Sequence, residues 1–378
     1  MGNLCGIYKS NKTSPEQAPI ETNIKTTNGK SDNNEKVDEG DRNENNEIEV
    51  KGILKNKIKN DEDNDETLRI LLLGAPESGK TTLMEQIRLL YKQDFKDTEF
   101  LHRKAFIYNN ILDSMRQILS YMKKKNFCLE NKDNETKADF VMDGFENLYG
   151  PFNEKESDAI KSLWNDKNLQ EVYKRRAQFN LNDSAGYFFE ELDRINQQNF
   201  VPVPEDLIRA YVPTLGVDNL IFTVKNRSYQ IIEYGGTKLD VKLLEDLYDG
   251  INCVFFVVAI SEYDQFLPND EENSKLQNSL KILDKCCNYC RDLNVPLYVF
   301  LNETDVFIEK LDVSPLSVYF DDYAGLSSKD ALLFMHELIE ERCSMHGLKD
   351  LHHEILCCCI KIDETGKMLE KIFKKLKK

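Results

Sequence analysis

The pattern of apolar and polar positions changes sharply near residue 66. Residues 7–66 are rich in Asn, Asp, Glu, Lys and Ser and carry almost no aromatic side chains. Such a stretch cannot bury enough apolar surface to offset the entropy of ordering. We therefore predict a largely disordered N-terminal extension over residues 1–66, with a polar helix near residues 46–60 as the alternative.

Short apolar runs that are typical of buried parallel strands follow this extension. They cover residues 68–73, 220–224, 253–259, 296–301 and 354–359. The first run leads into a helix predicted over residues 80–90, and the later runs alternate with amphipathic stretches. This alternation predicts a mostly parallel sheet that is covered by helices on both faces.

Between the first two apolar runs the periodicity is helical. One apolar stripe recurs at steps of three and four over residues 98–125, through Leu101, Ala105, Tyr108, Ile111, Met115, Ile118 and Met122. Helical patterns continue to about residue 198. We therefore predict an α/β domain formed by residues 67–95 and 206–378, interrupted by an inserted all-α domain over residues 96–205.

Charge and cysteine usage narrow the function classes. The net charge of −16 provides no basic field to attract phosphate backbones, which argues against a general nucleic-acid binder. The ten cysteines form no evenly spaced framework, so a reducing, cytosolic environment fits best. Cys287 and Cys290 form a CxxC pair without a second pair, which favours reduced thiols on a helix over a metal site.

The turn after the first apolar run has the composition of a phosphate-binding loop. Gly74 and Gly79 allow a tight turn whose N–H groups point at one spot, and Lys80 adds a positive charge. The Thr81 hydroxyl is a suitable Mg²⁺ ligand, and the helix that follows directs its positive dipole end at the anion. A Gly-rich turn without ligand is the less favoured interpretation. The predicted nucleotide-binding residues here are Gly74, Ala75, Pro76, Glu77, Ser78, Gly79, Lys80, Thr81 and Thr82.

Several further segments resemble, in order, those of the α subunit of heterotrimeric G proteins over roughly residues 66–373. Residues 160–164 and 181–187 resemble stretches of that family's helical domain, and residues 206–216 resemble its first switch. Gly235 and Gly236 resemble the second switch, and residues 302–305 the guanine-reading motif. The resemblance implies a Ras-like P-loop GTPase domain with an inserted helical domain, and GTP or GDP as ligand with Mg²⁺.

The resemblance also implies roles for single residues. Asp305 would accept two hydrogen bonds from guanine, and Asn302 would tie its loop to the phosphate loop. Thr81 and Thr214 would ligate Mg²⁺. The Gly236 N–H would meet the γ-phosphate. Further implied nucleotide contacts come from Asp183, Ser184, Ile208, Arg209, Glu233, Gly235, Glu303 and Cys359.

The first departures from the family pattern lie at positions whose residues act in GTP hydrolysis in that family. Tyr211 stands where the family has the arginine that stabilises charge on the γ-phosphate, and Thr237 stands where it has the glutamine that orients water. With Glu77 these positions form a degenerate catalytic set, and we assign no catalytic residue. The sequence therefore predicts at most a slow GTPase.

Other departures concern the ligand contacts. Glu233 replaces Asp, Pro76 replaces Gly, and the negatively charged Glu303 replaces the Lys that packs across the purine. Cys359 ends a run of three cysteines where the family has Thr-Cys-Ala. These changes predict weaker and less selective guanine binding. The alternative is a pseudo-GTPase scaffold that binds no nucleotide; another P-loop enzyme, such as a small-molecule kinase, is disfavoured by the ordered matches.

The resemblance implies a βγ dimer, a receptor and an effector as protein partners. Leu244 stands at the βγ-gripping Trp position and the segment after Cys359 is short, which predicts weakened interfaces. Gly2 and Cys5 resemble sites of myristoylation and palmitoylation, although Gly6 stands where Ser or Thr is preferred. We predict the cytoplasmic face of the plasma membrane if lipids are attached, and the cytoplasm otherwise.

Overall fold

The computed structural model describes residues 67–93, 97–145, 149–213, 216–235, 250–267, 270–348 and 353–376. They belong to a compact unit that spans Val50–Lys378. The predicted N-terminal extension lies outside the described residues, and so do Gly2, Cys5, Thr214, Gly236, Thr237 and Leu244.

A six-stranded sheet forms the centre of the described chain. Its strands are β1 (Leu68–Gly74), β2 (Gly216–Val224), β3 (Arg227–Gly235), β4 (Cys253–Ala259), β7 (Leu297–Asn302) and β8 (His353–Cys357). The strand order is β2-β3-β1-β4-β7-β8, with β2 and β3 antiparallel and every other pair parallel. A short hairpin of β5 (Phe266–Leu267) and β6 (Asp270–Ser274) stands apart. The predicted mostly parallel sheet is confirmed.

Two strand predictions were incomplete. β3 was missed, because buried Gln230 and Glu233 interrupt its apolar pattern. β8 ends at Cys357, so Cys358 and Cys359 lie beyond the strand and not within it as predicted. The ends of parallel strands carry the loops that reach ligands, so this shift places both cysteines at the site edge of the sheet.

Eight helices lie between β1 and β2 in the described chain: α1 (Lys80–Leu90), α2 (Asp97–Lys125), α3 (Asp133–Asp143), α4 (Glu154–Trp164), α5 (Lys167–Tyr173), α6 (Ala185–Glu190), α7 (Leu192–Ile195) and α8 (Pro204–Arg209). Among the described residues after β3 there are four more helices: α9 (Lys275–Leu293), α10 (Thr304–Lys310), α11 (Ser328–Met345) and α12 (Ile362–Lys375). Short 3₁₀ turns cover Arg176–Phe179, Ile260–Asp264 and Leu316–Val318. None of the described helices is long and apolar enough to cross a membrane.

Alternate side chains of β1 belong to opposite cores, which explains its continuous apolar run. Leu71 and Leu73 pack with α9 and α11, whereas Ile70 and Leu72 pack with α1 and α12. The sheet is therefore covered on both faces, as predicted, and the apolar stripe of the C-terminal helix docks on it.

A third core belongs to helices α2 to α7. The α2 stripe enters it through Tyr108, Ile111, Met115, Ile118 and Met122. Leu101 was wrongly placed in this stripe, since its side chain is 63% exposed near the helix start. The α/β class with a separate helical part is thus confirmed, whereas the boundaries at residues 95–96 and 205–206 stay a prediction.

Candidate nucleotide site

The phosphate loop connects β1 to α1 through a tight turn. Gly79 caps α1 with φ 87°, in the left-handed region, and no side chain caps the helix. A Cβ on Gly79 would lie 2.0 Å from Asn302 Nδ2, so only glycine fits there. The first N–H groups of an α-helix have no partner within it. The uncapped first turn of α1 therefore offers donors to an anion.

Lys80 supplies the positive charge of this loop. Its Nζ donates to the backbone oxygens of Ala75 at 2.8 Å and Gly74 at 3.3 Å. Burial lowers the pKa of Lys80, and the nearby carboxylates of Glu233 and Glu262 oppose that effect. The ammonium group is thus held across the mouth of the loop.

The Thr81 hydroxyl and the Glu233 carboxylate place two possible oxygen ligands for a metal ion beside the loop. Thr81 Oγ1 donates to Glu233 Oε1 at 2.7 Å, and Glu233 is 1% exposed. The extra methylene of Glu, relative to the family's Asp, lets this carboxylate reach the hydroxyl directly. Hydroxyl and carboxylate oxygens are the ligands that Mg²⁺ prefers, so the donor set fits the ion that the fold implies.

The loop after β7 lies against the phosphate loop. Asn302 Nδ2 donates to the Ser78 backbone oxygen at 3.0 Å, which is the link between loops that the resemblance implied. Cys358 Sγ donates to Asn302 Oδ1 at 3.0 Å. The side chain that the resemblance assigns to the base, Asp305, accepts from the N–H of Ile360 at 3.4 Å. Asp305 therefore borders the loop that carries Cys359.

Cys359, an implied nucleotide contact, donates its backbone N–H to Thr365 Oγ1 at 3.3 Å. Gln86 on α1 fixes this loop, because its Nε2 donates to the backbone oxygens of Cys359 at 2.9 Å and Ile360 at 3.0 Å. The structure thus brings Asn302, Asp305 and Cys359 together at the carboxyl end of the sheet.

The Glu303 side chain turns inward and does not take the place of the family's Lys, which packs across the purine. Its carboxyl group is hydrogen-bonded to Ser261 Oγ beneath the loop. Burial raises the pKa of Glu303 to about 8, with further contributions from the nearby carboxylates of Asp183 and Glu262. The raised pKa favours the protonated form of this carboxyl group, and its hydrogen bond to Ser261 directs it away from the position that was expected to face the ligand.

Asp183 and Ser184 enter the site from the helical part. Arg176 Nε lies 3.2 Å from Asp183 Oδ1, and Arg176 also contacts Glu309 of α10 at 2.8 Å. Burial raises the pKa of Asp183, against the effect of Lys310 and Arg176. The Ser184 N–H is bonded to Asn182 Oδ1 at 2.8 Å. Arg176, which the sequence analysis did not single out, thus links the helical part to α10.

The segment after α8 is fixed to the helical part by a reciprocal pair. The Tyr211 N–H donates to Asn110 Oδ1 at 2.7 Å, and Asn110 Nδ2 donates to the Tyr211 oxygen at 3.0 Å. Burial and the nearby Glu77 raise the pKa of Tyr211, so its hydroxyl is neutral. Ile208 is buried, and Arg209 pairs with Glu205 at 2.9 Å and stacks on Tyr187. Arg209 is therefore engaged by Glu205 of its own helix and by Tyr187 of α6.

A charged contact that the sequence did not reveal reaches the phosphate loop from α9. Lys275 Nζ lies 2.7 Å from Glu77 Oε2 and 3.3 Å from Glu262 Oε1. Glu77 adopts the left-handed region with φ 64°. The pair joins positions 198 residues apart, so no local pattern could have indicated it.

The inward carboxyl of Glu303 makes stability depend on pH. Its pKa is raised in the folded chain, so between about pH 4.5 and 8 only the folded state holds this proton. Stability is therefore lost as pH rises through that window. We expect Glu303→Gln to flatten the decline of urea midpoints between about pH 5 and 8.

Glu337→Gln, at an exposed position of α11, is the matched control and should leave the decline unchanged. An equally steep decline for Glu303→Gln and the unmodified chain would contradict the assignment of a buried, protonated Glu303.

The chain is similar in sequence to known proteins of one family. A sequence profile of the family described as "G-protein alpha subunit" matches residues 42–376. The "Guanine nucleotide-binding protein alpha-13 subunit" of Caenorhabditis briggsae is 43% identical over 311 residues, 82% of this chain and 89% of that protein. The protein of the same name from Caenorhabditis elegans is 42% identical over 313 residues, with the same coverage. The "Guanine nucleotide-binding protein G(o) subunit alpha" of Locusta migratoria is 35% identical over 260 residues, 68% of this chain and 73% of that protein.

Proposed function

The chain belongs to the G-protein α-subunit family, and on this premise we propose that it is a signalling protein that binds GTP and GDP with Mg²⁺ and hydrolyses GTP slowly. The observation that carries the proposal is the uncapped first turn of α1, which is joined to the guanine-reading loop by the contact between Asn302 and Ser78. Donors for the phosphates and acceptors for the base thereby lie on adjoining loops. The relatives' names state guanine-nucleotide binding for those proteins.

The chain's own residues divide the work of binding. The first-turn N–H groups of α1 and Lys80 hold the phosphates, and the Asp305 carboxylate accepts from the guanine N–H donors. Thr81 and Glu233, with Thr214, are the residues that would hold Mg²⁺. When bound, Mg²⁺ neutralises charge on the β- and γ-phosphate oxygens.

Slow hydrolysis is expected because of the residues at positions 211 and 237. Tyr211 is neutral and lacks the planar, charged fork of a guanidinium, and Thr237 lacks the amide that the family uses to orient water. Nucleotide would therefore stay bound as GTP for long periods. Such a protein would remain in its triphosphate state until exchange or a partner acts on it.

A pseudo-GTPase scaffold is the second candidate, and one observation favours it. Asp305 Oδ1 accepts from the Val306 N–H, Oδ2 accepts from the Ile360 N–H, and the Cys359 N–H is bonded to Thr365. The groups assigned to the base thus satisfy one another within the chain. A ligand would have to displace these contacts, which are long at 3.3 and 3.4 Å for two of them.

Partners and location follow from the same premise. We propose contacts with a βγ dimer, a receptor and an effector, weakened at the Leu244 position. We further propose that Gly2 and Cys5 carry lipids that hold the protein at the cytoplasmic face of the plasma membrane. Mass spectrometry of the N-terminal peptide from cells would show both modifications or exclude them.

The decisive test of the proposed function is the nucleotide carried by the purified full chain. We expect about one guanine nucleotide per chain after gentle purification with Mg²⁺, and exchange for a GTP analogue but not for ATP. A chain that carries no nucleotide and takes up none at millimolar concentrations would leave the scaffold as the remaining function. Equal affinity for ATP would overturn the assignment of guanine.

A further inference from the structure

The contact between α9 and the phosphate loop joins two side chains of opposite charge, Lys275 and Glu77. Glu77 lies within the loop that would surround the phosphates, and its side chain is 53% exposed. A carboxylate at that place repels a polyanionic ligand unless a cation neutralises it. Lys275 is that cation, since its Nζ lies 2.7 Å from Glu77 Oε2.

Lys275 is built into its position. It is the first residue of α9, its backbone N–H donates to the Gln265 oxygen at 2.7 Å, and its side chain is 13% exposed. Glu262 lies on its other side at 3.3 Å and is itself buried. Burial raises the pKa of Glu262, against the effect of the neighbouring Lys275. Lys275 therefore lies between two acidic side chains, of which Glu77 belongs to the phosphate loop.

The pair lies on the side of the loop where a third phosphate would be. Tyr211 stands at the position whose family counterpart acts on the γ-phosphate, and both Glu77 and Lys275 act electrostatically on the Tyr211 hydroxyl. Arg209 is held by Glu205 and Tyr187. Lys80 and Lys275 each contact residues of this loop through their Nζ atoms.

The strength of the electrostatic interaction indicates what the Lys275–Glu77 pair does. A half-exposed ion pair adds little to the stability of the fold, because solvent screens it. A bound nucleotide excludes water from the loop, and charges there interact more strongly once they are less screened. The effect of the pair should therefore appear in ligand selectivity and not in the unfolding of the free chain.

We propose that Lys275 is a positioning residue for the terminal phosphate: it neutralises Glu77, whose carboxylate would otherwise repel the third phosphate group of a nucleoside triphosphate. The inference rests on the proposed function. It makes Lys275 a determinant of the preference for triphosphate over diphosphate, supplied by α9 and not by the segment that carries Tyr211.

The test is calorimetric titration of the full chain and its variants with GDP and with GTPγS, in the presence of Mg²⁺. We expect Lys275→Met to weaken GTPγS binding by about tenfold and GDP binding by about twofold or less. Lys275→Arg should bind both like the unmodified chain. Lys281→Met is the matched control, because Lys281 is an exposed lysine of the same helix whose Nζ is bonded to Asn273.

A second pair of variants separates charge from structure. Glu77→Gln removes the repelling charge and should raise the preference for GTPγS. The double variant Glu77→Gln with Lys275→Met should regain GTPγS binding to within about threefold of the unmodified chain.

Three outcomes would overturn the inference. Equal loss of GDP and GTPγS in Lys275→Met would show that the lysine only supports the loop. Failure of the double variant to recover would show the same. An unmodified chain that binds neither nucleotide would overturn the proposed function, and the inference with it, whereas the first two outcomes leave the proposed function standing.

Discussion

Replacing Tyr211 by Arg is expected to raise the rate of a single turnover of GTP by about 10³-fold. An arginine that reaches the γ-phosphate contributes about 10³–10⁵ to phosphoryl transfer, a value established partly on G-protein α subunits themselves. We expect the unmodified chain to react at about 10⁻⁵ s⁻¹ or less and Tyr211→Arg to approach about 10⁻² s⁻¹. The backbone of residue 211 is fixed by Asn110, so the new side chain starts from a defined position.

Release of phosphate from γ-labelled GTP by the preloaded chain measures this rate. Tyr211→Phe is the control and should leave the rate unchanged, because the neutral hydroxyl supplies no charge. Adding Thr237→Gln should raise the rate further, although the two effects need not multiply. If the unmodified chain already reacts near 10⁻² s⁻¹, a rate of about that order being ordinary for the family, impaired hydrolysis is wrong.

Replacing Asp305 by Ala is expected to weaken GDP binding by about 10²- to 10⁴-fold. Two charge-assisted hydrogen bonds to the base are lost, and each contributes about 1.5–3 kcal/mol. In the free chain the same carboxylate accepts only from backbone N–H groups at 3.1 and 3.4 Å, so the fold should tolerate the change. Thermal unfolding of the nucleotide-free chain should shift little.

Asp305→Asn sharpens this test. An amide donor at that place suits the C2 carbonyl of xanthine, so this variant should lose GDP and bind xanthosine diphosphate. Asp312→Ala is the control, because Asp312 is exposed beyond the end of α10. Unchanged GDP affinity in Asp305→Ala would place the base somewhere other than the loop after β7.

The strand, loop and helix at the phosphate site could be read from the sequence because their signals are local. The apolar run of β1, the two glycines and the start of α1 lie within 23 consecutive positions, residues 68–90. The apolar stripe of α2 could also be predicted from the sequence, except at Leu101. There the periodic pattern of apolar residues continues beyond the end of the core that α2 packs against. A repeat of apolar residues does not by itself show where burial stops.

The contacts that decide the charge state of the site could not be read in the same way. Glu303 was expected to face the ligand as an anion, but its carboxyl group is hydrogen-bonded to Ser261, and burial and the nearby Asp183 raise its pKa. Lys275 meets Glu77 only because β4, the following 3₁₀ turn and β6 bring α9 beside the loop. Both results depend on which distant segments the sheet places side by side.

The double hydrogen bond between Asn110 and Tyr211 has a mechanical consequence. It holds residue 211 to α2 through both its N–H and its C=O. If the helical part moves away from the sheet, the chain up to residue 211 moves together with it. Asn110 and Tyr211 therefore belong to the same moving part, and residue 211 cannot itself be the hinge.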